Sequence, residues 1–131
     1  MKSLLILVVD DEESIRLVLV RSLTRRGHTV HEAADGRRAL ELIDESSRPY
    51  DFIVSDLRMP GLGGEALLER LKERNDGMAR RIIFLTGDTA SSDTTGVRAS
   101  AAVPILAKPI EMTELIRLVE KGVATQADDE I

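Results

Sequence analysis

Four short runs of this chain are almost continuously apolar: Leu4–Val9, Asp51–Ser55, Arg81–Thr86 and Val103–Ala107. A strand with one wet face alternates apolar and polar residues, whereas a run apolar throughout is what a strand covered on both faces requires. Thr29–Ala33 is a fifth strand, more polar than the others, as suits an edge. Between the strands lie stretches of helical period. Glu13–Arg26 carries Ile15, Val18, Leu19 and Leu23 at helical spacing, and Gly27 ends it. Asp35 is placed to cap a helix from Gly36 to about Glu45, with Ala39, Leu40 and Ile43 inward. Gly64–Arg74 uses Leu67, Leu68 and Leu71, and Met112–Val123 uses Leu115, Leu118 and Val119. The same rhythm demands a helix within Asp88–Ala102, yet Thr89, Ser91, Ser92, Thr94, Thr95, Gly96 and Ser100 are poor helix formers. A short or mobile helix is expected there. Alternating strands and helices imply an α/β fold, a doubly wound parallel sheet with helices on both faces and right-handed crossovers.

A length of 131 residues fits one domain, and it suffices for a core without disulfides or structural zinc. The expected division is a domain over 1–123 and an acidic, frayed tail over 124–131. The chain has no cysteine, which excludes thiol catalysis and Cys-ligated metal and suits a reducing cytosol. A net charge of −5 argues against direct nucleic-acid binding, and the arginine pairs at 25–26, 37–38 and 80–81 are scattered as solvated ends and loops. The apolar stretch after Met1-Lys2-Ser3 is too short for a signal peptide and runs into Asp10-Asp11-Glu12-Glu13. No run is long enough to span a membrane, so a cytoplasmic location is expected, with no membrane insertion.

In open parallel sheets, ligands bind beyond the carboxyl ends of the strands. The unusual polar residues all fall there: Asp10 and Asp11 after the first strand, Asp56 after the third, Thr86 after the fourth and Lys108 after the fifth. Three like charges at close quarters repel strongly, so a cation is expected among them. Mg2+ is the natural choice, because it takes oxygen ligands from few carboxylates and leaves room for water and phosphate. Beside such an ion Asp56 is a candidate nucleophile toward a phosphoryl group, with Lys108 and Thr86 as donors to its oxygens. Glu12 and Glu13 are read instead as favourable charges at a helix start. His28 and His31 lack metal-ligand partners and are read as surface or edge residues.

The motifs Val8-Val-Asp-Asp-Glu12, Asp51-Phe-Ile-Val-Ser-Asp56-Leu-Arg-Met-Pro-Gly61, Leu85-Thr-Gly-Asp88 and Leu106-Ala-Lys-Pro109 together resemble the receiver domain of two-component response regulators, from Leu4 to about Val123. The resemblance implies a flavodoxin-like (βα)5 fold with strand order 2-1-3-4-5. It implies that Asp56 accepts a phosphoryl group from a histidine kinase or histidine phosphotransfer protein. Asp11, Asp56 and the carbonyl of Arg58 would hold Mg2+, and Asp10 would orient its water. Thr86 and Lys108 would bind phosphoryl oxygens, Thr86 by moving as a switch, and a cis peptide would precede Pro109. The donor is expected near Ile15, Leu19 and Pro109. A homodimer would use the helix expected after Asp88, the fifth strand and the last helix. Such a domain is a phosphoprotein switch with self-directed chemistry, not a turnover enzyme.

Ile105 departs from the family, standing where many receivers carry Tyr or Phe, so the aromatic coupling to the threonine is absent or different. Arg58 and Asp88, each two residues past a site residue, are expected to pair over the site and restrict attacking water. The segments around Leu85 and Pro104 lean toward receivers attached to hybrid sensor kinases. The chain thus reads as a stand-alone regulator or a module cut from something longer, since no output domain follows Val123. A metal-dependent aspartyl phosphatase is the enzyme alternative, but it needs an acid two residues after the nucleophile, where Arg58 stands. A flavin-binding module needs a Ser/Thr/Gly loop where Asp10 and Asp11 stand. A degenerate receiver that signals by contact alone would not need the full set of acids, threonine and lysine.

Overall fold

A computed structural model describes residues 3–87 and 103–129, of which 122–129 are described as backbone only. The helix expected within Asp88–Ala102, and Asp88 itself, lie outside these described residues. Five parallel strands, β1 (Leu5–Val9), β2 (Thr29–Ala33), β3 (Phe52–Asp56), β4 (Ile82–Thr86) and β5 (Ile105–Ala107), form one sheet in the order β2-β1-β3-β4-β5. The helices are α1 (Glu13–Arg25), α2 (Gly36–Glu45), α3 (Gly64–Arg74) and α4 (Met112–Asp129). This is the flavodoxin-like arrangement expected from the sequence.

Side chains alternate across a strand, and here both sets are buried. Leu5, Leu7 and Val9 join Ile53, Ile82 and Phe84 under α2 and α3, which contribute Ala39, Ile43, Leu67, Leu68 and Leu71. Leu4, Ile6 and Val8 join Phe52, Val54, Ile83 and Leu85 under α1 and α4, through Leu19, Leu23, Leu115 and Val119. The continuous apolar runs are therefore two core faces read in alternation. β2, an edge strand, buries only Ala33 fully. Asp35 caps α2 as expected, its carboxylate accepting the Arg38 N–H at 2.8 Å.

Three expectations change, and one element is new. Val18, grouped with the apolar stripe of α1, is 54% exposed beside Leu17 at 46%, whereas Leu19, expected on a docking face, is fully buried. One helical step of 100° separates Val18 from Leu19, enough to carry a residue from sheet to solvent. His28, read as a surface or edge residue, is buried, and its Nδ1 accepts the Leu4 N–H at 3.1 Å. A short 3₁₀ helix, Met78–Arg81, precedes β4, with the Asp76 carboxylate accepting the Met78 N–H at 3.1 Å. Finally, α4 continues to Asp129, six residues past Val123, because Ala124, Gln126 and Ala127 tolerate a helix and no proline intervenes.

Candidate functional site

Parallel register brings the strand ends together. Val9 pairs with Ser55 and Asp56 pairs with Leu85, so Asp10, Asp56 and Thr86 leave the sheet at adjacent points. Thr86 pairs with Ala107, and the Lys108 N–H donates to the Thr86 carbonyl at 2.8 Å, which sets the start of the lysine side chain. The Lys108–Pro109 peptide is cis, as expected.

The carboxylates of Asp10, Asp11 and Asp56 each offer an oxygen lying within 4.8 Å of the other two. Among the described residues they are the one such group able to share an ion. Asp10 is fully buried and Asp56 is 6% exposed, while Asp11 faces solvent. Lys108 Nζ lies 3.3 Å from Asp56 Oδ2 and 3.5 Å from Asp10 Oδ2. Three formal negative charges against one positive leave two uncompensated, and the donors are all hard oxygens. That set fits a small divalent cation such as Mg2+ and disfavours soft metals.

Electrostatics agree with the geometry. Burial pushes the Asp56 carboxyl above its ordinary value, with neighbouring Asp10 adding to the rise and Lys108 opposing it. Burial alone would lower Lys108, but the combined pull of Asp56, Asp10 and Glu12 outweighs it and raises the ammonium. Asp10 is held on every side. Its N–H donates to Ala33 O at 3.1 Å, its Oδ1 accepts the Glu12 N–H at 2.9 Å, and its Oδ2 faces Lys108. The Arg58 N–H approaches Asp56 Oδ1 at 3.4 Å, a long contact. The Arg58 side chain is exposed and Thr86 is buried. A groove of about 550 Å³ between α2 and the loop after β3, lined by Arg37, Leu40, Pro60 and Arg70, includes none of these acids.

Two residues at the site carry no mark in the sequence pattern. Gly64 opens α3 so close to β3 that a Cβ would sit 2.9 Å from the Asp56 carbonyl oxygen and 2.9 Å from Leu57 Cα. Arg16 donates from its guanidinium to the Asp10 carbonyl at 2.7 Å. A helix-opening glycine and an arginine one turn into an acidic helix were the available signals.

The response regulator receiver domain model matches residues 6–120. The sensor kinase CckA of Brucella abortus is 35% identical over 121 residues, covering 92% of this chain and 13% of that protein. The DNA-binding transcriptional regulator NtrC of Escherichia coli K12 is 34% identical over 117 residues, covering 89% of this chain and 24% of that protein. The chain thus spans about an eighth to a quarter of the length of these curated relatives. Among solved structures, the Vibrio cholerae chemotaxis protein CheY4 superposes with a TM-score of 0.80 at 28% identity, covering 92% of this chain and 98% of that one. The receiver domain of Francisella response regulator 1452 gives 0.82 at 29%, covering 95% and 99%. Acids at the ends of β1 and β3, a lysine after β5 and a matching family model over nearly the whole chain converge: this chain belongs to the response regulator receiver domains of two-component signalling.

Proposed function

We propose that Asp56 is the phosphoryl acceptor of this receiver and that Asp10, Asp11, Asp56 and the Arg58 carbonyl hold Mg2+ beside it. The observation that carries this reading is the convergence of three carboxylates within 4.8 Å, with a lysine ammonium 3.3 Å from Asp56. The donor is a phosphohistidine of a sensor kinase or phosphotransfer protein. An Asp56 carboxylate oxygen forms the new P–O bond as the donor's P–N bond breaks, and the bonding pair leaves with the imidazole nitrogen. The bound cation neutralises charge between two anionic reactants. Lys108, already raised as an ammonium, leaves Asp56 to meet a phosphoryl oxygen, and the Thr86 hydroxyl donates to another. Phosphorylation then biases a two-state equilibrium in which Thr86 moves toward the phosphoryl group.

Leu17 and Val18 on α1, with Pro109 also exposed, form the apolar landing for the donor in place of buried Leu19. Residues 1–123 are the receiver unit in this reading, and a homodimer would use the β5 and α4 face. The chemistry is self-directed, ending in hydrolysis of the acyl phosphate, and is not turnover of a free substrate. Among the described residues no helix is long and apolar enough to cross a membrane, in keeping with a cytoplasmic switch. The test is incubation with acetyl phosphate and Mg2+, followed by intact mass. Wild type gains one phosphoryl group, whereas Asp56→Ala gains none and neither does wild type in excess chelator. Labelling of Asp56→Ala to the wild-type level would overturn the assignment.

A further inference from the structure

We propose that Arg16 is a positioning residue for divalent-cation binding, holding the Asp10–Asp11 peptide in its ligand-presenting orientation. The proposal rests on the metal reading above and extends it to a side chain outside the ligand set. Arg16 lies in the first turns of α1, its side chain only 15% exposed. One guanidinium nitrogen donates to the Asp10 carbonyl at 2.7 Å, and Nε donates to Glu32 Oε1 on β2 at 2.8 Å. The Asp10 N–H is bound to Ala33 O at 3.1 Å. Both ends of Asp10's backbone are therefore tied to the end of β2, the N–H directly and the carbonyl through the Arg16–Glu32 pair.

The consequence falls on Asp11. Asp10 has side-chain partners that fix its aim, and Asp56 has Lys108. Among the described residues Asp11 has no hydrogen bond or ion pair of its own, and its side chain faces solvent. Only its backbone directs it toward the other two acids, and the peptide that precedes it is the one Arg16 grips. A guanidinium suits this task because its donors are set in one rigid plane, so gripping two acceptors fixes both. An ammonium in the same place offers a point charge without that fork.

Charge and positioning act here with opposite signs. A guanidinium near an acidic pocket repels an incoming cation, so by charge alone Arg16→Gln tightens Mg2+ binding. Loss of positioning weakens it. Titration calorimetry of MgCl2 into the unphosphorylated full chain, at fixed ionic strength, reads that sign directly. Arg16→Gln is expected to bind about tenfold more weakly, the low end of what groups orienting metal ligands contribute. Arg16→Lys, which keeps the charge and loses the fork, is expected to weaken by a similar factor, and raised Mg2+ restores acetyl-phosphate labelling of both. Far-UV circular dichroism confirms folding, and if Arg16→Gln does not fold, Arg16→Lys alone decides. Binding equal to or tighter than wild type in the folded variants overturns the role of Arg16 while leaving the metal reading intact. Failure of wild type itself to bind Mg2+ overturns both.

Discussion

Asp56 is a carboxylate that the fold makes expensive to ionise. Its folded-state value lies above the ordinary 3.8, with burial the leading cause. The native state thus holds this proton more tightly than the unfolded chain does. Stability falls as pH rises from 3.8 through the raised value, and above it the ionised group is a constant penalty. Asp56→Asn carries no such charge, so without divalent cations it should melt a few degrees above wild type at neutral pH. The gap should close as pH falls toward 3.8, which paired thermal melts across that range would show. Lys108 acts in the other direction. Lys108→Ala leaves Asp10 and Asp56 without their ammonium and should lower stability by about 1–3 kcal/mol in urea unfolding without Mg2+. A value near the low end is reasonable, since the lysine side chain keeps 16% exposure. The acids and the lysine were legible in the sequence because each ends an apolar run, and parallel strands bring such ends to one edge of the sheet. Arg16 and His28 were not, since each binds a main-chain atom, the Asp10 carbonyl and the Leu4 N–H. Side-chain patterns do not record which main-chain groups need a partner.

At the scale of elements, strand identity and the helix faces other than Val18's place on α1 followed from apolar period, and α3 spans the residues expected of it. The helix stops and starts that turned on local chemistry were harder. Asn75, Asp76 and Gly77 form the turn into the 3₁₀ helix, with Asn75 at φ 54° and Gly77 at φ 86°, and the bond from the Met78 N–H to the Asp76 carboxylate is visible only once the chain has turned. The join between β3 and α3 gives a direct test of how element packing serves the site. The Gly64 N–H donates to the Leu57 carbonyl at 2.9 Å, drawing the helix start against the strand end. A methyl group at Gly64 would press on Asp56 O and Leu57 Cα, and neither backbone atom can rotate aside. Gly64→Ala should therefore lose about 1–3 kcal/mol in chemical denaturation. It should also slow acetyl-phosphate labelling, because the displaced atoms belong to the proposed acceptor, Asp56, and its neighbour. A stable variant with wild-type labelling would show that α3 yields instead.

For the molecule as a whole, one sheet separates two apolar clusters and concentrates its polar mismatch at the carboxyl ends of the strands. Three acids facing one lysine oppose folding, so a bound cation should add to the stability of the entire domain. Linkage sets the size of that effect. A ligand at one hundred times its dissociation constant, with no affinity for the unfolded chain, contributes about 2.7 kcal/mol. For a domain of this length that is roughly 10 °C in melting temperature. Wild type should therefore rise by that order between excess chelator and saturating Mg2+, whereas Asp56→Asn, missing one carboxylate, should rise much less. The two proteins would then exchange rank, the variant being more stable without the ion and wild type more stable with it. Differential scanning calorimetry on both, with and without Mg2+, measures the exchange. It separates a shared ion from general ionic screening, because an added salt weakens the Asp10–Asp56 repulsion but leaves the larger cost of burying the Asp56 charge, so screening narrows the gap without reversing the order. Equal gains in the two proteins would mean that Asp56 does not belong to the cation's ligand set, whatever its distance from Asp10 and Asp11.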